Sequence, residues 1–215
     1  MTETSLGHIV ALIPVRSLAG AKSRLGEPLD AEERGDLVRA LLRRTVQGAR
    51  AATRVAGVLV VSMDGDLLDE ARGLGAVSLL QRIDGLNEGL EEARLAAGAD
   101  ATAVLVLPVD LPGVSASAID ALAEAAEAAR RDAPSKPVVV AVPDRHGTGT
   151  NALLVAPPHA IPFRFGEGSR AAHAAAASAA GASYVELDGP LNFDLDTPED
   201  LLEADRHGFD HEAGR

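Results

Sequence analysis

Short apolar runs alternate along the chain with longer stretches of helical periodicity. Runs rich in Val, Ile and Leu fall at 9–15, 58–63, 77–81, 104–109, 138–142, 153–155 and 184–187, each the length of a strand. Between most of them lie Ala-, Leu-, Glu- and Arg-rich segments at 31–53, 65–74, 86–97, 116–131 and 169–180, whose apolar positions recur at helical spacing. The strand runs are continuously apolar, as a sheet covered on both faces requires, so the pattern predicts an α/β chain with a mostly parallel sheet. In such sheets ligands bind beyond the carboxyl ends of the strands, and the loops there become the places to look for chemistry.

Composition narrows this picture. The 215 residues are 47% hydrophobic but only 2% aromatic, so the core is built from Ala, Val and Leu, which suits helices packed close on a sheet. One domain over 1–207 accommodates the pattern, with 208–215 expected as a frayed tail. A formal net charge of −12 argues against a nucleic-acid partner, which clustered Lys and Arg must neutralise. It also means that any anion site needs local cations or metal ions to overcome the overall field. The chain has no cysteine, which excludes disulfides and thiolate chemistry and accords with a cytoplasmic setting. The run 9–15 is too short to span a bilayer and lacks a basic signal-peptide start, so no membrane association is expected.

The first predicted strand leads into Arg16-Ser17-Leu18-Ala19-Gly20-Ala21-Lys22-Ser23-Arg24-Leu25. Three cations and a small-residue loop at a strand's carboxyl end could hold a triphosphate, Lys22 as a point charge and Arg16 or Arg24 as a planar fork. Lys22 is one of only two lysines. A solvated basic loop is the competing reading, and the Walker spacing is absent. After the second strand, Asp64 or Gly65 can start a helix by capping. Gly85-Leu86-Asn87 precedes the next helix, where Asn87 serves either as a cap or as an amide donor and acceptor for a base or ribose.

The strongest local signal is Asp110, which follows a buried strand at once in Val106-Leu107-Pro108-Val109-Asp110-Leu111-Pro112. A carboxylate on that lip suits Mg²⁺, which takes a few carboxylates and completes its shell with water and phosphate oxygens; a turn Asp is the alternative. Near the other end, Asn192-Phe193-Asp194-Leu195-Asp196-Thr197-Pro198-Glu199-Asp200 places Asp194 and Asp196 on one side if extended. Thr197, Pro198 and Asp200 read as a helix start, which leaves Asp194 over, with Asp196 able to exchange roles with it.

Asp144-Arg145-His146-Gly147-Thr148-Gly149-Thr150 joins two strands through glycines and hydroxyls, which suits a turn or an oxyanion surface. Phe163-Arg164-Phe165-Gly166-Glu167-Gly168-Ser169 precedes the Ala-rich helix, so Ser169 is expected to cap it while backbone N–H groups face an anion. His173, one turn on, could reach the same anion but reads more readily as a surface histidine. The six histidines show no zinc spacing.

Across these motifs, and over nearly the whole chain, the sequence resembles the 2-phospho-L-lactate guanylyltransferases and the related phosphoenolpyruvate guanylyltransferases of coenzyme F420 biosynthesis, in the Pro-Val-Arg-x-Leu-x-x-Ala-Lys-Ser-Arg-Leu opening above all. The resemblance implies a Rossmann-like, GT-A-like nucleotidyltransferase fold with a mostly parallel mixed sheet flanked by helices. It implies Mg²⁺-dependent transfer of GMP from GTP to 2-phospho-L-lactate or phosphoenolpyruvate, with 3-phosphoglycerate a further candidate, and a downstream transferase of the same pathway as a partner. Carried over residue by residue, Lys22, Asp110 and Asp194 are catalytic. Arg16, Lys22, Arg24 and Asn87 meet the nucleotide; Thr150, Gly166 and Ser169, with Thr148, grip the acceptor; Asp110 and Asp194 or Asp196 hold metal. More distantly the chain is similar to molybdenum-cofactor and sugar-phosphate nucleotidyltransferases, but their Gly-x-Gly-x-Arg opening is missing. Another nucleotidyltransferase of this fold and a non-catalytic nucleotide-binding module remain the alternatives, whereas a dehydrogenase would need Gly-x-Gly-x-x-Gly after the first strand.

Overall fold

The computed structural model describes residues 6–16 and 30–206. Among them, seven strands form one sheet in the order β3-β2-β1-β4-β6-β5-β7: β1 (Ile9–Pro14), β2 (Val55–Ser62), β3 (Val77–Leu80), β4 (Ala103–Val106), β5 (Val138–Pro143), β6 (Thr150–Ala156) and β7 (Ser183–Glu186). Strands β1 to β4 are mutually parallel and β7 runs parallel to β5, while β6 is antiparallel to both of its neighbours. The antiparallel member follows from chain length, since the six residues between β5 and β6 cannot make a crossover and must turn back as a hairpin.

Six helices cover the sheet: α1 (Ala31–Ala51), α2 (Gly65–Gly73), α3 (Leu86–Ala96), α4 (Ala116–Asp132), α5 (Ser169–Ala179) and α6 (Pro198–Arg206). The two-residue period of each strand divides its side chains between the faces. Ile9, Ala11 and Ile13 of β1 point into one apolar layer with α1, α2 and α4, and Val10 and Leu12 into the other with α3 and α5. Each fully buried Val or Leu in these layers contributes about 1.5–3 kcal/mol. Helix starts are set by capping. Asp30 and Glu33 form a reciprocal box at α1, Asp64 accepts from Asp66 and Leu67 at α2, as its position suggested, and Ser115 accepts from Ala118 at α4.

This topology assembles one rim. The parallel strands all end there, and β6 begins there: Leu153 lies opposite Val106, so Thr150 and Asn151 stand beside the exit of β4. No described helix is long and apolar enough to cross a membrane.

Candidate active site

β4 ends at Val106 and not at 109 as its apolar run suggested, so Asp110 lies in the turn that follows at the rim, and the segment carrying Asp194 is brought against it by backbone contacts. The Leu195 N–H donates to the Asp110 carbonyl at 2.9 Å. Leu195 itself is fully buried with Leu37 and Leu41, which leaves Asp194 and Asp196 on the opposite side of the extended stretch. Upstream, a single 3-10 turn, Pro190–Asn192, is pinned from two strands, because Asn151 donates to the Leu191 carbonyl at 3.0 Å and Asn192 to the Pro143 carbonyl at 2.9 Å. Gly113 completes the fit. A Cβ there would lie 2.1 Å from the Pro190 carbonyl oxygen, so only glycine lets the loop after Asp110 pack on that turn. Downstream, Thr197 and Asp200 cap α6 reciprocally, as expected. Asp200 also pairs with Arg145, whose guanidinium lies 4.9 Å from the centre of the Phe193 ring.

Among the described residues the surroundings of Asp194 oppose its ionisation on balance. Burial, then the Asp110 carboxylate, then that of Asp196 push the Asp194 pKa above its ordinary value. The Oδ1 of Asp194 is buried with no hydrogen-bond partner among the described residues, although the Asn151 amide and the Arg145 charge partly favour the ionised carboxylate. A native fold rarely leaves a buried carboxylate oxygen unpaired, and a cation between Asp194 and Asp110 would satisfy it. Among the described residues no group of three or more His, Cys, Asp or Glu side chains converges on one point. Two carboxylates at a rim suit Mg²⁺, which keeps several water or substrate oxygens, and not a cage made wholly of protein.

The wall beside this corner is the reverse, a network in which the polar groups have partners. His173 on α5, expected at the surface, is fully buried. Its Nδ1 lies 3.0 Å from Thr150 Oγ1, its Nε2 accepts from the Arg164 N–H at 3.0 Å, and the Phe165 ring meets it edge-on at 5.0 Å. Burial lowers its pKa to about 4, so it is neutral at pH 7. Ser169 does not cap α5 as expected. The cap is Gly168, which has positive φ and no side chain to offer, and Ser169 is the first helical residue. The N–H groups of Ser169 and Arg170 are already spent on the carbonyls of Gly166 and Thr148, so the anion surface here is narrower than an open helix end. Gly166, at φ 123°, has nothing among the described residues within 4 Å of where a Cβ would lie; its backbone conformation favours glycine.

Asn87 is committed to this wall. Its Nδ2 donates to the Phe165 carbonyl at 3.0 Å and its Oδ1 accepts from the Phe165 N–H at 2.8 Å. It does not cap α3, whose cap Gly85 makes no side-chain bond. Seven residues on, and therefore on the same face of α3, Arg94 donates to the carbonyls of Pro158 and Ile161 at 3.1 and 2.8 Å and lies over the Phe163 ring. Helix α3 thus holds the whole return loop from β6 to α5. The sequence offered no sign of this role for Arg94.

Of the remaining candidates, Thr148 is exposed in the β5–β6 hairpin, its N–H bonded to Asp144 at 2.8 Å. Asp144 shapes that turn. Burial opposes its ionisation, but N–H bonds from Gly149, Thr148 and Gly147 outweigh burial and lower its pKa. Arg16 stands exposed at the exit of β1. Lys22 and Arg24 lie outside the described residues, as does the expected tail.

The profile of a family described as guanylyl transferase CofC like matches residues 9–214. Among curated relatives, a phosphoenolpyruvate guanylyltransferase of Rubrobacter xylanophilus is 44% identical over 202 residues, 93% of this chain and 95% of its own length. One of Sphaerobacter thermophilus is 43% identical over 202 residues, 92% and 93% of the two chains. Among solved structures, a nucleotidyl transferase from Methanothermobacter thermautotroptrophicus superposes with a TM-score of 0.65 at 18% identity, covering 93% of this chain and 96% of that one. That likeness establishes the nucleotidyltransferase fold expected from the sequence.

Proposed function

The chain belongs to the guanylyl transferase CofC-like family and is a guanylyltransferase acting on a phosphorylated acid, and from that premise we propose that it joins GMP from GTP to phosphoenolpyruvate in coenzyme F420 biosynthesis. The relatives named as phosphoenolpyruvate guanylyltransferases favour this acceptor over 2-phospho-L-lactate and 3-phosphoglycerate. A cytoplasmic setting and a downstream transferase that consumes the activated product complete the reading.

In this reading a phosphate oxygen of the acceptor attacks the α-phosphorus of GTP. The bond to the bridging oxygen breaks, and pyrophosphate departs with its electron pair. The acceptor phosphate is ionised at neutral pH, so no general base is required, and positioning with charge neutralisation carries the rate. Asp110 and Asp194 would hold Mg²⁺, with Asp196 as the alternative second ligand. Bound there, the ion supplies charge neutralisation to phosphate oxygens. Arg16, Lys22 and Arg24 would hold the triphosphate. Thr150, Gly166, Ser169 and Thr148 would receive the acceptor, and Asn87 would serve the site by fixing the Phe165 backbone.

The observation that supports this most is the buried Asp194 oxygen next to Asp110, which has no hydrogen-bond partner among the described residues and which a cation would satisfy. The test is incubation with Mg²⁺ and each of the four nucleoside triphosphates, with each of the three acids in turn, followed by mass detection of the product. We expect a GMP adduct of phosphoenolpyruvate and matching pyrophosphate release. An adduct formed with another acid would overturn the acceptor assignment, and one formed with another nucleotide the GTP assignment.

A further inference from the structure

The one buried imidazole among these residues has its proton assigned by its neighbours. The Arg164 peptide N–H can only donate, so His173 Nε2, 3.0 Å away, must be the bare nitrogen. In a neutral ring the proton then sits on Nδ1, and the 3.0 Å contact with Thr150 is Nδ1–H donating to Oγ1. That fixes the other side of the hydroxyl. With a lone pair of Oγ1 occupied by the imidazole, the Thr150 O–H proton must point elsewhere, and among the described residues Thr150 Oγ1 makes no other hydrogen bond. Thr150 is 8% exposed at the rim, beside the corner that holds Asp110 and Asp194.

We infer that His173 is a positioning residue that sets the Thr150 hydroxyl as a hydrogen-bond donor toward an anionic oxygen of the acceptor. The inference rests on the reading of Thr150 as an acceptor contact. Its chemistry is simple. A free hydroxyl presents either lone pairs or a proton to an incoming oxyanion, and lone pairs would repel it. The imidazole removes that ambiguity before substrate arrives, which is preorganisation in the sense that matters for a charged ligand. The same ring also ties the Arg164–Gly166 loop to β6 through Nε2, so two functions meet in one side chain and must be separated experimentally.

Side-chain amides separate them. The amide of Asn reaches the place of Nδ1 and that of Gln the place of Nε2. His173→Asn therefore keeps a donor for Thr150 and loses the loop contact, whereas His173→Gln keeps an acceptor for the Arg164 N–H and loses the donor. The wild-type tautomer is read first, by two-dimensional ¹⁵N NMR of histidine-labelled enzyme, with the spectrum of His173→Asn or of His173→Gln identifying the resonance. We expect an Nδ1–H ring at pH 7; an Nε2–H ring or an imidazolium overturns the inference without recourse to activity.

Kinetics follow, with acceptor and GTP varied separately and thermal melting of each variant as the folding control. The expected result is that His173→Gln raises the acceptor KM about fivefold to tenfold, the loss of roughly one hydrogen bond, with the GTP KM unchanged, while any rise from His173→Asn, which loosens only the loop, adds to that of Thr150→Val. Thr150→Val should raise the acceptor KM similarly, and adding His173→Gln to it should change nothing more. If Thr150→Val leaves the acceptor KM unaltered, the acceptor reading of Thr150 fails and the inference goes with it. If Thr150→Val raises it but the two substitutions add independently, the acceptor reading stands and the role of His173 is overturned. Should His173→Gln fail to fold, the tautomer and the His173→Asn and Thr150→Val measurements still decide.

Discussion

Two neighbouring parts of the same rim handle buried polar groups in opposite ways. At the Asp110–Asp194 corner, like charges crowd together and one buried oxygen has no hydrogen-bond partner among the described residues. Along the wall formed by Thr150, Asn87 and His173, donors meet acceptors at 2.8–3.0 Å. An unsatisfied corner costs stability and is kept for what binds there, whereas a satisfied wall holds its shape before anything binds. The contrast separates carboxylates left for a ligand from a wall whose groups mostly hold one another, the Thr150 O–H being the wall's one donor kept for substrate.

The contrast breaks most visibly at the carboxylates. Asp110→Asn and Asp194→Asn should each lower Mg²⁺-dependent pyrophosphate release by about a thousandfold, the scale of losing a principal electrostatic stabiliser of the reacting phosphates. In metal-free buffer their melting temperatures should match or exceed that of the native protein, because the repulsion disappears. A folded Asp194→Asn enzyme with native turnover would remove the corner from the mechanism.

At the wall, acid is the probe. His173 titrates near 6.5 when unfolded and at about 4 when folded, so the unfolded chain binds the extra proton between those values. The neutral ring's contribution is complete above pH 6.5, declines as the pH falls, and stops changing below about 4. The difference amounts to about 3 kcal/mol, and denaturant titrations across that window should show a fall that is missing from His173→Gln. An equal fall in both proteins would mean that other groups dominate.

Gly113→Ala tests the seam between the two regions. Its new methyl would press on the Pro190 carbonyl, for an expected loss of about 2 kcal/mol by overpacking. Turnover should drop with it, because the Pro190 turn leads directly to Asp194. Unchanged stability by chemical denaturation would show that the turn yields freely.

The smallest effect should come from Asn87→Ala. Releasing the Phe165 backbone is expected to raise the acceptor KM about tenfold, the scale of one to two hydrogen bonds, and to leave the GTP KM nearly alone. The opposite split, with GTP affected and the acceptor not, would return Asn87 to the nucleotide role that the family resemblance implied.

The legible parts of the chain were those where burial writes a pattern. β1, expected over 9–15, spans Ile9–Pro14; β4, whose apolar run reads to 109, ends at Val106, so that Asp110 lies in the turn after it. β6 was harder. Only 153–155 reads as apolar, yet the strand runs Thr150–Ala156, because Thr150 and Asn151 are buried by partners distant in sequence and carry no hydrophobic signal. His173 was misplaced for a related reason. In a helix that is mostly alanine every face looks alike, and the clue was the four-residue spacing of Ser169, His173 and Ala177, which form its buried stripe. The meeting of Asp110 with Asp194 was expected from resemblance alone. What creates it, the missing Cβ of Gly113 against Pro190 and the amides of Asn151 and Asn192, is tertiary complementarity that a linear pattern does not record.

Asn87 grips residue 165 entirely through its peptide group. The path of the chain there is fixed without any bond to the side chain of residue 165, which leaves the Phe165 ring free to pack on Phe163 and His173. One amide thus holds the thread while the ring fills the space behind it.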